Sequence, residues 1–410
     1  MKNDVLCEYY VEPREPLTLE EAAEHIAAES SIGTWTDIST MNPDIAIKLK
    51  PSVFSIDKKK GKIKIAYHHE LFEKGNVPQI LSSIAGNIFG MKILKNLRLV
   101  DIHFPKVIVD SFHGPAIGEK GIRKLLKVKN RPLLGTIVKP KIGLDEKQHA
   151  NVAYEAWSGG LDIVKDDENL SSMSFNHFDK RVIETLKMRA QAEKETGERK
   201  IYMPNITAEL DEMIRRAHFV KDHSGEYIMV DILTVGWSAL QTIRNMDLGL
   251  VIHAHRAGHA ALTRNHTHGI SMLTVAKLAR LIGVDQLHIG TVVGKMEGEA
   301  AEVTEIEEEM HSQFIPEGKT HWLNQYWYNL KPVFPVCSGG LHPGHLPELI
   351  KLMGKDIIAQ FGGGCHGHPD GTFAGAKAIR QALDATLKKK KLDVYAKENP
   401  ELGRALERWG

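Results

Sequence analysis

Four charged residues follow a short apolar segment near the middle of the chain. Gly160–Val164 is mostly apolar and leads directly into the tetrapeptide Lys165–Glu168. Such a tetrapeptide is most often solvated on a loop, but a position after a buried strand would direct it into a shared site. Asp167 and Glu168 carry hard oxygen atoms that suit Mg²⁺, whereas a cationic Lys165 would repel the metal. A deprotonated Lys165 that captured CO₂ as a carbamate would add a third anionic oxygen, although the tetrapeptide alone does not decide this.

Further polar residues follow other apolar segments. They are Lys139-Pro140-Lys141, the group His253, His255 and Arg256, His288 with Lys295 in the loop after it, Ser338-Gly339-Gly340, and Gly362-Gly363-Gly364. Buried polar groups cost stability when they serve structure alone. Glycine clusters form tight turns, but their backbone N–H groups also form nests for anions. Two such clusters, with Arg256 and His288 as a second cationic set, predict two phosphate sites flanking a metal, which would suit a sugar bisphosphate.

Eight short apolar segments recur from Arg131 onward, with amphipathic stretches between them. The segments are Leu133–Val138, Leu161–Val164, Ile201–Ile206, Tyr227–Leu233, Leu250–Ala254, Gln286–Val293, Val333–Val336 and Ile357–Phe361. Eight strand–helix units within about 260 residues are typical of a (β/α)₈ TIM barrel. The polar residues above would then lie together at the rim where the strands end. The intervening helices include Ile270–Leu281, Leu346–Met353 and Ala374–Leu387.

The first part of the chain has a different pattern. Val5–Val11 and Ile63–His68 resemble strands, whereas Thr18–Ala28 and Val77–Phe89 have the apolar periodicity of helices. This mixture favours a smaller α+β domain, so the predicted fold class is α/β with two domains. The predicted parts are an N-terminal α+β domain at 1–107, a barrel at 108–398 and a C-terminal helical tail at 399–410.

The composition excludes several classes of protein. The charge sum of 53 Lys and Arg against 52 Asp and Glu gives +1, which favours neither nucleic acid nor a membrane surface as a partner. An apolar signal segment and long apolar runs are missing from the sequence. Cys7, Cys337 and Cys365 are scattered without CxxC spacing, which suits a reducing compartment. We therefore expect a cytoplasmic protein.

Three motifs suggest other chemistry and fail. Gly290–Met296 is similar to a phosphate-binding loop, but it has one residue too few between its glycines and ends in methionine. His366 and His368 could ligate a metal, although a loop turn is the preferred interpretation. Cys337 has no neighbouring motif of a nucleophile, so a packing role is favoured.

Taken together, the motifs resemble those of the ribulose-1,5-bisphosphate carboxylase/oxygenase large-subunit family, most closely its archaeal form III group. The resemblance covers nearly the whole chain. It rests on Ala27–Trp35, Gly86–Gly90, Lys139–Leu144, Gly159–Asn169, His253–Ala260, His288–Gly298, Ser338–Gly344 and Phe361–Gly371.

The resemblance implies roles for the residues of the metal site. Lys165 matches the lysine that becomes carbamylated, and Asp167 and Glu168 match the remaining protein ligands of Mg²⁺. The carbamate would remove the C3 proton of ribulose 1,5-bisphosphate as general base, and Mg²⁺ would stabilise the enediolate. CO₂ would then add at C2, and hydration and C2–C3 cleavage would yield two molecules of 3-phosphoglycerate, with an oxygenase side reaction.

Four further residues match catalytic positions of the family. Lys295 matches the residue on the loop after the sixth strand that steadies the new carboxylate, and His255 matches a group near the C3 oxygen. Lys139 matches the residue that protonates the released carbanion, with support from Lys141.

The remaining matches concern substrate binding and assembly. One phosphate site would contain Thr34, Trp35, Gly340, Gly362 and Gly363, and the other Arg256 and His288, with Ser338 near a substrate hydroxyl and Gly339 beside it. In the family, the N-terminal domain completes the active site of the partner subunit, here through Glu29, Thr34, Trp35 and Asn87. The resemblance thus implies a homodimer or a ring of dimers, with no small subunit.

One departure and two alternatives remain open. Ile137 stands where the plant-type pattern has threonine, which would affect rate or CO₂/O₂ discrimination. The first alternative is a carboxylase-like enolase or isomerase of methionine salvage, but such relatives commonly lose several substrate and loop residues that this chain keeps. The second is a non-catalytic sugar-phosphate-binding protein, which would need neither a metal trio nor a loop lysine.

Overall fold

The computed structural model describes residues 3–34, 36, 38–294, 300–318 and 321–410. The chain forms two compact units. Unit 1 comprises Met1–Pro115, Gly258–Gly283 and Glu308–Pro332, and unit 2 comprises Ala116–Ala257, Val284–Glu307 and Val333–Gly410.

The strands and helices are numbered in chain order. The strands are β1 Asp4–Pro13, β2 Ser52–Asp57, β3 Lys62–His68, β4 Leu94–His103, β5 Leu133–Ile137, β6 Ile163–Lys165, β7 Ile201–Met203, β8 Tyr227–Asp231, β9 Val251–His255, β10 Gly269–Ile270, β11 Gln286–Gly290, β12 Phe314–Ile315, β13 Gln325–Tyr326, β14 Phe334–Ser338 and β15 Ile358–Phe361. The helices are α1 Leu19–Glu29, α2 Pro43–Leu49, α3 Val77–Ile84, α4 Lys106–Val109, α5 Gly118–Leu126, α6 Glu146–Ser158, α7 Phe178–Thr196, α8 Leu210–Asp222, α9 Ile232–Asn245, α10 Ala260–Thr263, α11 Met272–Ile282, α12 Ala300–His311, α13 Leu346–Met353, α14 Gly363–His366, α15 Gly371–Leu387, α16 Leu392–Ala396 and α17 Pro400–Trp409. Short 3₁₀ helices span His69–Leu71, Asn87–Gly90 and Pro343–His345.

Unit 2 contains a closed barrel of eight parallel strands, in the order β7-β6-β5-β15-β14-β11-β9-β8. The barrel closes between β7 and β8 through a parallel bridge of Asn205 with Met229, where the amide of Ile206 donates to the carbonyl of Met229 at 3.0 Å. The predicted (β/α)₈ barrel is therefore confirmed, and the observed strands differ from the predicted segments only near their ends.

The barrel is apolar at the end where its strands begin. The first residues of seven strands belong to one buried core: Leu133, Ile163, Ile201, Tyr227, Val251, Phe334 and Ile358. Ile122 and Leu126 of α5 belong to the same core. The buried carboxylate of Asp285 accepts hydrogen bonds from the amides of Ile117 and Gly118, at 2.7 and 2.8 Å, and so holds the start of α5. Because this end is packed and apolar, polar chemistry is left to the other end.

Unit 1 is built on a five-stranded sheet in the order β10-β4-β1-β3-β2. Strand β1 pairs antiparallel with β3 and β4, and β10 pairs parallel with β4. The predicted helix at Val77–Phe89 is shorter than expected, since α3 ends at Ile84. The reason is Gly86, where a Cβ would collide with the carbonyl oxygen of Ser82, so that the chain turns there into a 3₁₀ helix.

Across the described ranges, no helix combines the length and apolar character needed to cross a bilayer.

Candidate active site

Lys165 is the last residue of β6 and is almost fully buried, with 1% of its surface exposed. Its Nζ donates to the carbonyl of Asp166 at 2.8 Å and lies 3.3 Å from Oε2 of Glu168. Burial lowers the pKa of the Lys165 ammonium, although the nearby carboxylates act in the opposite direction. The neutral amine is thus more accessible than in a solvated lysine, and only a neutral amine can attack CO₂.

Asp167 and Glu168 lie beside Lys165, and each of the two carboxylates has another basic side chain close to it. Nζ of Lys139, in the loop after β5, lies 2.6 Å from Oδ2 of Asp167. Nε2 of His255, at the end of β9, lies 3.6 Å from Oε2 of Glu168. Burial acts to raise the pKa of Glu168, but the positive charges of Lys165 and His255 outweigh it and the pKa falls to about 2. The carboxylate of Glu168 is therefore available as an anionic ligand.

Asp167 and Glu168 are oxygen donors of the kind that Mg²⁺ prefers. Among the described residues, no group of three or more His, Cys, Asp or Glu side chains is placed to hold a metal ion. Asp167 and Glu168 supply two carboxylates, and a carbamate on Lys165 would supply the third oxygen ligand. The residues present therefore fit the metal that the family resemblance implies.

Three strands contribute a hydrogen-bonded row of side chains beside the metal site. Nε2 of His253 lies 2.9 Å from Nε2 of His288, and Nδ1 of His288 lies 2.8 Å from Oγ of Ser338. At the other end, Nδ1 of His253 lies 2.8 Å from Oε1 of Gln286. Burial lowers the pKa of His253 to about 3 and that of His288 well below its usual value, so both rings are neutral.

The guanidinium of Arg256 lies against Gly290. A Cβ at Gly290 would lie 2.9 Å from Nη2 of Arg256, and Gly290 has a φ of +97°. Burial lowers the pKa of the guanidinium to about 10, so it stays protonated at neutral pH. A largely desolvated cation of this kind suits a phosphate.

The glycines that follow β14 and β15 also face the open end of the barrel. Gly339 and Gly340 have φ values of +128° and +70°, a region that favours glycine. A Cβ at Gly362 would lie 3.7 Å from Cε of Lys139, and a Cβ at Gly363 would meet open space among the described residues. The backbone after β15 thus lies next to the lysine that contacts Asp167.

The remaining predicted site residues are an exposed lysine, residues of unit 1 and residues that the structure does not describe. Lys141 is exposed on the loop after β5. In unit 1, Glu29, Thr34 and Asn87 line one cavity of about 1090 Å³. Trp35 and Lys295 lie outside the described residues. The site assignments therefore stay predictions.

Ile137 and two residues that the sequence did not single out also belong to this end of the barrel. Ile137 pairs in register with Lys165 between β5 and β6. Oδ1 of Asp231, the last residue of β8, lies 3.2 Å from Nδ1 of His255. Gln360 of β15 is 1% exposed, and neither of its amide atoms has a hydrogen-bond partner among the described residues. The available signal was a polar residue within an apolar strand, which marks an inward-facing position.

His366, His368 and Cys337, which belong to motifs rejected in the sequence analysis, contact residues that support the fold. The ring of His366 lies between Oγ1 of Thr136 at 2.9 Å and Oγ1 of Thr372 at 3.0 Å. Nε2 of His368 lies 2.9 Å from the carbonyl of Glu401. Cys337 is fully buried, which raises the pKa of its thiol to about 12, so it packs as a neutral side chain.

Comparisons with known proteins agree over both units. The family models for the ribulose bisphosphate carboxylase large chain match residues 1–108, as the N-terminal domain, and 118–409, as the catalytic domain. The ribulose bisphosphate carboxylase of Methanosarcina mazei is 54% identical, over 100% of this chain and 96% of that protein. That of Methanocaldococcus jannaschii is 55% identical, over 95% of this chain and 94% of that protein.

Solved structures give the same result. A dimeric archaeal Rubisco from Hyperthermus butylicus superposes with a TM-score of 0.94 at 49% identity, covering 100% of this chain and 96% of that one. An octameric ribulose-1,5-bisphosphate carboxylase/oxygenase from Pyrococcus horikoshii gives 0.92 at 48% identity, covering 100% and 94%. Since the likeness extends over the full length in sequence and in fold, the chain belongs to the ribulose bisphosphate carboxylase large-chain family.

Proposed function

We propose that this protein is a ribulose-bisphosphate carboxylase, which joins ribulose 1,5-bisphosphate, CO₂ and water into two molecules of 3-phosphoglycerate. The observation that carries the proposal is the meeting of Lys165, Glu168, Asp167 and Lys139 at the open end of the barrel. The curated relatives at 54% and 55% identity bear the same enzyme name.

Activation begins at Lys165 in this proposal. The ammonium group first loses one proton; the neutral amine then attacks CO₂, forms an N–C bond and releases a second proton, so that the side chain changes from a cation to an anionic carbamate. Lys165, Asp167 and Glu168 would then hold Mg²⁺, which supplies positive charge against the anion that develops on the sugar. Two carboxylates and two ammonium groups nearly cancel in the unmodified site, so carbamylation is what gives the site its net attraction for a cation.

The surrounding residues act on the sugar bisphosphate. Lys165, as its carbamate, takes the C3 proton, and His255 lies on the side of Glu168 to assist at the C3 oxygen. Lys139, whose Nζ lies 2.6 Å from Oδ2 of Asp167, donates a proton to the carbanion after C2–C3 cleavage. Arg256 binds one phosphate, and the backbone of Gly362 and Gly363 beside Lys139 binds the other.

Assembly and side reaction are part of the same proposal. Glu29, Thr34, Trp35 and Asn87 would complete the site of a partner subunit in a homodimer, and Lys295 would steady the new carboxylate. Oxygenation of the same sugar intermediate and a cytoplasmic location are also proposed. The dimeric and octameric states of the two solved relatives support a homo-oligomer.

The test is fixation of ¹⁴CO₂ on ribulose bisphosphate under anaerobic conditions. Label in 3-phosphoglycerate is expected, with its loss in Lys165→Ala and its retention in the surface control Lys187→Ala on α7. Exchange of the C3 proton without label in 3-phosphoglycerate would instead support the carboxylase-like enolase. A protein that binds the sugar with unchanged affinity in Lys165→Ala, and never turns it over, would be the non-catalytic alternative.

A further inference from the structure

Asn205 lies two residues after the end of β7 and is fully buried. Its Nδ2 faces three carbonyl oxygens of the loop that carries the metal ligands: those of Asp167 at 3.5 Å, Glu168 at 3.2 Å and Leu170 at 3.1 Å. Its Oδ1 accepts from the amide of Thr207 at 3.0 Å, which fixes the orientation of the side-chain amide. One amide group thus holds the backbone of two adjacent ligand residues.

The same loop is held from a second direction by Asp166. This residue stands between Lys165 and Asp167, but its carboxylate points away from them. It accepts hydrogen bonds from the hydroxyl of Tyr202 at 2.7 Å, from Nε of Arg181 at 3.1 Å and from the backbone amide of Asn205 at 2.9 Å. Asn205 therefore contacts the loop through both its backbone and its side chain.

Buried carbonyl groups need donors, and Nδ2 of Asn205 donates to those of Glu168 and Leu170, whereas the carbonyl of Asp167 also accepts from the amide of Leu170 at 3.0 Å. If Nδ2 of Asn205 were removed, the carbonyls of Glu168 and Leu170 would lose a donor in a site closed to solvent on that side. The loop would then relax to find other partners, and the side chains of Asp167 and Glu168 would move with their backbone. Metal affinity is sensitive to such changes, because residues that orient ligands commonly affect it by about 10–100-fold.

We propose that Asn205 is a positioning residue for the metal site, which sets the directions of the Asp167 and Glu168 carboxylates through their own carbonyl groups. The inference rests on the proposed function, because it presumes that these carboxylates bind Mg²⁺. The competing explanation is that Asn205 serves only to close the barrel, since it also bridges to Met229. Barrel closure would affect stability and leave the affinity for metal unchanged.

The experiment measures metal binding without substrate. Mn²⁺ replaces Mg²⁺, and the free ion is counted by electron paramagnetic resonance in the presence and absence of CO₂, while ¹³CO₂ reports the carbamate on Lys165 by ¹³C NMR. The variants are Asn205→Ala, which removes the donor, and Asn205→Ser, which keeps one smaller donor and is the milder change if the alanine variant does not fold. Thermal unfolding is recorded for each.

The matched control is Asp162→Asn. Asp162 is buried just before β6, three residues from Lys165, but at the closed end of the barrel, where it accepts two hydrogen bonds of 2.6 Å from Arg131. This variant should lose stability and keep its Mn²⁺ affinity. We expect Asn205→Ala to weaken CO₂-dependent Mn²⁺ binding by about 10–100-fold and Asn205→Ser to recover part of the loss.

Unchanged Mn²⁺ affinity in the folded Asn205 variants would overturn the inference and leave the proposed function intact. An equal loss of affinity in Asp162→Asn would also overturn it, because general destabilisation would then explain the effect. A wild-type protein without CO₂-dependent Mn²⁺ binding would overturn the proposed function, and the inference with it.

Discussion

Nζ of Lys139 lies 2.6 Å from Oδ2 of Asp167, a distance at which the lysine competes with a metal for the same carboxylate oxygen. Lys139→Met should therefore separate metal binding from catalysis. Carboxylation should fall by at least about 100-fold, because a proton donor is lost. Mn²⁺ should bind at least as tightly as in the wild type, because a competing ammonium is gone. Weaker Mn²⁺ binding in this variant would show that Lys139 supports the metal instead.

A substitution at Gly290 tests whether Arg256 binds a phosphate of the substrate. In Gly290→Ala the new Cβ would lie 2.9 Å from Nη2 of Arg256 and displace it. The KM for ribulose bisphosphate should rise by about 10-fold or more, as expected when a charged hydrogen bond is lost, with a smaller effect on kcat. The control is Gly249→Ala. Gly249 also has a positive φ, +73°, but its Cβ position faces open space among the described residues. Equal KM changes in both variants would contradict a phosphate role for Arg256.

Asp231 orients His255 through the contact of 3.2 Å between Oδ1 and Nδ1. Asp231→Asn should lower kcat by about 10–100-fold, because the ring of His255 loses the carboxylate that fixes its tautomer. Mn²⁺ affinity should change much less, since Asp231 is not placed among the ligands. Steady-state kinetics and Mn²⁺ titration check both statements, with Asp222→Asn at the exposed end of α8 as control. An unchanged kcat would remove His255 from the proposed mechanism.

His366 predicts a pH dependence of stability. Burial lowers its pKa to about 4 in the folded protein, whereas histidine in an unfolded chain has a pKa of about 6.5. Below about pH 6.5 the unfolded state therefore binds a proton that the folded state does not. Its contribution to stability is complete above that pH and is lost as the pH falls toward about 4.

The slope from this one group is at most about 1.4 kcal/mol per pH unit, and partial exposure of the ring reduces it. His366→Gln should flatten the dependence of unfolding free energy on pH over this window, as measured by denaturant titration. Parallel curves for the variant and the wild type would show that His366 is not the group responsible.

Much of the fold could be predicted because the barrel strands are buried on both faces. Such strands are nearly continuous apolar runs, and their ends can be located to within a few residues. The helix predicted at Val77–Phe89 was too long, because the apolar period continues past Gly86 while the backbone turns there. Strands β2 and β4 of unit 1 were not predicted, since their patterns are less regular.

The sequence drew attention to site residues that form a charged cluster and less to single polar residues. Lys165 and Glu168 were proposed because they belong to a charged tetrapeptide after an apolar segment, whereas Asp231 and Gln360 are single polar residues inside predicted apolar segments. The pairing of Lys139 with Asp167 joins two segments of the chain, and only the closed barrel brings them to 2.6 Å. The family assignment was confirmed because its motifs are long and span the chain.

The apolar core between α5 and the first residues of the barrel strands matters for engineering this enzyme. The seven strand residues of this core are apolar and lie at the end of the barrel opposite the reactive residues. Mutations there should therefore change how long the protein survives heating and not which substrate it prefers. Thermal tolerance and substrate selectivity are thus separable targets, and a library of variants confined to one end of the barrel can be screened without disturbing the other property.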